Sequence, residues 1–109
     1  MVKFIKFNGG NLNTPANFDI YAGTENIVRI TATASTVVIT YRSANGDADI
    51  CTIGIPSDTT GIFQREIIDL ILNANSSKSD GGVPYIEAPP TFTNGQTPAS
   101  NKVISVTLA

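Results

Sequence analysis

The sequence predicts an α+β fold: a mostly antiparallel, twisted sheet of about five to six strands with one amphipathic helix packed on it. Three observations lead there. The run "STVVITYRSANGDADICTIGI", residues 35–55, holds two apolar stretches that alternate about Asn45-Gly46. From Phe63 onward the period changes from two to that of a helix. Only 15% of the 109 residues are charged, against about 25% in typical soluble domains. Thr, Ser and Asn fill the difference, and they suit strands and turns.

The first element is "VKFIKF", a short β pattern that ends at the breaker Asn8-Gly9-Gly10. "NLNTPAN" reads as loop, with Pro15 interrupting any ladder. A short strand is expected at Phe18–Tyr21, closed by a turn at Gly23. "ENIVRITATA" gives a strand from about Asn26 to Thr33, in which Val28, Ile30, Ala32 and Ala34 form the expected core side.

After a break at Ala34-Ser35, "TVVITYR" sets Val37, Ile39 and Tyr41 on one face and Val38, Thr40 and Arg42 on the other. Asn-Gly accepts the positive φ of a tight hairpin, so 36–42 and 48–54 should pair antiparallel. Both faces of that hairpin carry apolar residues, which predicts that neither lies fully in water.

Pro56 ends the second hairpin strand, and Ser57, Asp58, Thr59 and Thr60 offer N-caps for the helix expected near 61–74. Phe63, Ile67, Leu70, Ile71 and Ala74 make its core face. Ile62, Ile68 and Leu72 fall off that face, leaving Gln64, Arg65, Glu66 and Asp69 as a narrow polar strip. Two arrangements account for the surplus: the 76–100 loop folds back over it, or another copy of the chain covers it. Residues 76–100 carry loop signals throughout, with "VPYIE" the one strand candidate, and "NKVISVTLA" closes the chain as a strand. The chain is thus read as a single β-rich domain over 1–109, with a long loop near 76–100.

Composition removes many chemistries. There is no histidine and a single cysteine, so histidine-based triads, histidine-ligated metals and thiolate zinc sites are all excluded. Cys51 lies in a strand pattern and reads as a buried small hydrophobe. "NGDAD" places Asp47 and Asp49 beside Asn45, yet it lacks the order and distal Glu of a calcium loop and reads as a hairpin tip. Glu66 and Asp69 resemble an acid/base pair only in spacing, and a solvated polar strip explains them. No catalytic residue, metal site or cofactor is therefore expected, and the chain is read as a non-enzyme.

The seven basic residues are scattered, which argues against nucleic acid and against a polybasic membrane patch. No apolar run is long enough for a transmembrane helix, and the alternation near Lys3 and Lys6 provides no signal-peptide core. Two partner classes remain. Ile62, Ile68 and Leu72 are candidates for contact with further copies of the chain. Alternatively, the aromatics Tyr21, Tyr41, Tyr85, Phe18 and Phe92 form a platform, with Tyr85 and Phe92 of the 76–100 loop holding a sugar or peptide.

The order of these parts is also informative. Val37-Val38-Ile39-Thr40-Tyr41, Asn45-Gly46, Cys51-Thr52-Ile53, the helix and "KVISVTL" follow one another after an opening "KFIKF". In this the chain resembles small uncharacterised proteins encoded by marine phages, notably cyanophages, and it departs from them in residues 76–100. The resemblance covers most of the chain and carries over no functional residues. It implies a structural protein of the virion or of its assembly, located in the virion or in host cytoplasm during assembly, self-associating and in contact with other virion proteins.

Overall fold

The computed structural model describes residues 3–13, 17–42, 49–76, 84–93 and 101–109. Among them run β1 (Phe4–Phe7), β2 (Ile20–Gly23), β3 (Ile27–Ala32), β4 (Thr36–Tyr41), β5 (Asp49–Gly54), α1 (Ile62–Ser76), β6 (Tyr85–Glu87) and β7 (Ser105–Leu108). The fold is α+β, as the alternating runs and the one helical period require. The strands form two sheets where one was expected. One has the order β2-β1-β6 and the other β3-β4-β5-β7.

The division has a local cause. Between β2 and β3 the chain turns through Asn26, whose φ of 61° is left-handed. Strand β3 then leaves the first sheet and pairs with β4. A hydrogen bond fastens the seam, Tyr41 Oη donating to Gly23 O at 2.8 Å, and Thr24 N–H, donating to Lys3 O at 2.9 Å, extends the β1–β2 ladder up to it. The Asn75 side-chain amide at the helix end donates to Thr24 O.

In the larger sheet the hairpin pairs antiparallel from Thr36↔Gly54 to Tyr41↔Asp49. Its tip lies outside the described residues. Val37, Ile39, Cys51 and Ile53 are buried on one face. In β3 the expected core side holds for Ile30 and Ala32, which pair with the buried Ile39 and Val37, and fails at Val28. A register shift between Ile27 and Arg29 turns Ile27 and Ile30 inward together. Val28 is left 62% exposed, and Ala32 and Ala34 are exposed as well.

The smaller sheet mixes directions, since β1 is antiparallel to β2 and parallel to β6. Ile5, Phe7 and Ala22 point into the core. The expected strand within the 76–100 loop exists, and Ala88 and Phe92 beyond it are buried.

Helix α1 rests on β4 and β1, closing one core shared by both sheets. Its start is fixed by Asp58, which is buried; Oδ2 accepts Phe63 N–H at 2.9 Å and Oδ1 accepts Thr60 N–H at 2.9 Å. Gly61, at φ +79°, leads into the first turn and accepts Arg65 N–H. Phe63, Ile67, Ile71 and Ala74 of the expected core face are buried, and Leu70 is half-buried.

Candidate functional site

Helical geometry sorts the surplus apolar residues into two groups. With 3.6 residues per turn, Gly61, Arg65, Ile68 and Leu72 fall in one row along the flank of α1, at i, i+4, i+7 and i+11. Ile62 sits roughly a quarter turn from Leu72, in the row of Glu66, Asp69 and Asn73 along the other flank. The structure therefore brings Ile68 and Leu72 together and leaves Ile62 apart. Ile62 is 39% exposed and Leu72 54% exposed, while Ile68 is half-buried against the core.

The Ile68 flank faces strand β3. Between them opens a cleft of about 560 Å³, with Ala32, Thr33 and Ala34 on one side and Gly61, Gln64, Arg65 and Ile68 on the other. Turn chemistry shapes its strand side, where Thr33 Oγ1 accepts the N–H groups of Ser35 at 3.2 Å and Thr36 at 3.1 Å. Gln64 ties the two walls. Its amide nitrogen donates to Thr33 O at 2.9 Å and to Asp58 O at 2.8 Å. Gln64 Oε1 is buried and finds no hydrogen-bond partner among the described residues. Sequence reasoning assigned Gln64 to the polar strip; the helix instead turns it inward, where it bridges α1 to the β3–β4 turn.

The described part of the 76–100 loop lies on the opposite flank of the helix. Thr93 N–H donates to Glu66 Oε2 at 2.6 Å, and Pro89, Thr91 and Phe92 border a second cleft, of about 310 Å³, with Glu66, Asp69, Leu70 and Asn73. Glu66 and Asp69 thus share a rim, with Glu66 holding loop backbone. Asp49 is exposed at the start of β5, away from both. Asn45 and Asp47 lie outside the described residues.

The aromatic reading is divided. Phe92 is 7% exposed and its ring stacks on Phe63 at 5.2 Å, so it is a core residue that shows only a small part of its surface to the second cleft. Tyr85 lies on the outer face of the smaller sheet. There it meets Tyr21 edge-on at 5.7 Å, and Tyr21 meets Phe4 edge-on at 6.4 Å. Phe4 was missed by the sequence reading, although its alternation with Ile5 places it beside Lys6 on that face. Lys6 Nζ lies 5.3 Å from the Tyr85 ring centre and pairs with Glu87 at 3.4 Å and Asp19 at 3.5 Å. Desolvation pulls the lysine down, but Glu87, then Tyr21, Tyr85 and Asp19 outweigh it and hold its pKa above the ordinary value. Phe18 is exposed elsewhere on the chain, and Tyr41 belongs to the seam between the sheets.

Cys51 is fully buried, and burial pushes its thiol up to about 11. Tyr41 is likewise held above the usual phenol range, by burial first and then by Cys51. Among the described residues no group of three or more potential metal ligands comes together, and no helix is long and apolar enough to cross a membrane. Comparison with protein-family models, curated proteins and solved structures gives no match.

Proposed function

We propose that this chain is a non-enzymatic structural protein of a phage virion or of its assembly, working by association with further copies of itself. The observation that carries the reading is the flank of α1. Ile68 and Leu72 stand beside an open cleft whose opposite wall includes Ala32 and Ala34, and the described loop packs on the other flank. Apolar surface gathered in this way gains free energy when a partner removes it from water, by about 25 cal/mol for each Å². A low charge content supports the same reading, because few charged side chains must be desolvated at a contact. The phage assignment is supported by the order of parts in residues 27–55, which resembles marine-phage proteins.

Sedimentation velocity at tens of micromolar tests the association. The wild-type chain should sediment as an oligomer that dissociates on dilution. Leu72→Asp should shift it to monomer, whereas Ile62→Asp, on the other flank of the helix, should leave the distribution nearly unchanged. A wild-type chain that stays monomeric throughout removes the reading.

Sugar or peptide binding through Tyr85 and Phe92 is the weaker alternative, because Phe92 is committed to the core.

A further inference from the structure

The larger sheet ends in two different edges. Strand β3 forms one and β7 the other among the described residues. Thr33 N–H donates inward to Thr36 O at 2.9 Å. By the alternation of an antiparallel ladder, the peptide groups of Ile30 and Ala32 then point away from the sheet. Ala109 exchanges hydrogen bonds with Ile50 in both directions, at 2.9 and 3.4 Å. The same alternation turns the peptide groups of Leu108 and Val106 outward on β7. Each edge therefore offers a row of backbone donors and acceptors to another strand.

The two edges are complementary in shape. Leu108 pairs with Cys51, so its side chain shares the face of that buried residue, yet it is 55% exposed at the rim. It is an apolar knob on the core side of the β7 edge. The core side of the β3 edge instead holds the cleft of Ala32, Ala34 and Ile68, continued along the helix by Leu72.

Resting on the self-association proposed above, we infer that the partner is a second copy docked head to tail, its β7 edge on this copy's β3 edge. The polarity allows it. Strands β3, β4, β5 and β7 are antiparallel at each step, so β3 and β7 run in opposite directions. A repeated copy then sets β7 antiparallel to the next β3, and the sheet continues from copy to copy. Leu108 enters the cleft beside Ile68 and Leu72. Pairing like edges would leave the cleft unfilled. Such a heterologous contact builds a ring if the rotation closes and a filament if it does not.

Complementation of edge variants tests the geometry. Proline in place of Ala32 or Leu108 removes an outward N–H without removing a bond inside the sheet. The full chain carrying Ala32→Pro should be monomeric, and so should Leu108→Pro, because each lacks one of the two edges. An equimolar mixture should form dimers and stop there, joining the intact β7 edge of the first variant to the intact β3 edge of the second. Circular dichroism checks that each variant folds, and Ala32→Lys with Leu108→Lys repeats the experiment without altering the backbone. If wild type associates but the Leu108 variants still assemble as it does, or if the mixture stays monomeric, the head-to-tail geometry is overturned while self-association stands. If wild type is monomeric, both fail together.

Discussion

The ring of Phe92 stacks on that of Phe63 at 5.2 Å and 28°, fastening the segment after β6 to the first turn of the helix. An aromatic residue set among loop signals is in this way part of the core. Truncating it should leave a cavity against Phe63 and Leu12. Phe92→Ala is expected to lower stability by about 3 kcal/mol or more. Tyr85→Ala, which removes a half-exposed ring on the outer face, should cost about 1 kcal/mol. Urea midpoints of the two variants, at unchanged slope, check the contrast.

Cys51 should be chemically silent in the native state. The thiolate is the reactive form, and burial holds the proton on until about pH 11. A thiol reagent at pH 8 is expected to modify Cys51 only in denaturant. The same shift links stability to pH. The thiol would ionise near 9.0 without that shift and near 11 in the folded chain, so its contribution is complete below about pH 9 and is lost between about 9 and 11. Cys51→Ala should therefore flatten part of the alkaline fall in melting temperature.

Asp58 governs the entry to α1. Its carboxylate accepts the N–H groups of Thr60 and Phe63 and the Thr60 hydroxyl, and its backbone carbonyl accepts the Gln64 amide. Asp58→Ala leaves buried donors at the helix start unsatisfied and should cost about 2 kcal/mol. Asp58→Asn keeps an acceptor oxygen and should cost less. Thermal melts of both variants, followed by helix ellipticity, measure the difference.

Much of this architecture is legible in the chain because the signals are local. Asn45-Gly46 announces the hairpin, and Val37, Ile39, Cys51 and Ile53 alternate into the core as the period requires. Phe63, Ile67, Ile71 and Ala74 mark the buried helix face for the same reason. What local pattern does not carry is long-range. The choice of β1 as parallel partner of β6 joins residues some eighty positions apart, and the separation into two sheets turns on one left-handed residue, Asn26. The surface reading had the same limit: periodicity marks Ile62, Ile68 and Leu72 as surplus, but only the placement of β3 and of the loop after β6 distinguishes the two flanks of the helix.

Strand β3 is the place where alternation misleads, and it yields a sharp test. Read as an unbroken strand, it buries Val28 with Ile30 and exposes Ile27. The register shift inserts an extra residue between Ile27 and Arg29, and both isoleucines pack against the core while Val28 faces outward. Ile27→Ala should then destabilise the fold by about 2 kcal/mol, since it removes packed methylene groups beside the core. Val28→Ala should change stability by less than about 0.5 kcal/mol, as for surface positions generally. Chemical denaturation of the two variants decides between the readings, because an unbroken alternation predicts the opposite order. Val28→Thr adds a second check: a hydroxyl at an outward position keeps the β preference and should be close to neutral, whereas at a buried one it would lack a partner.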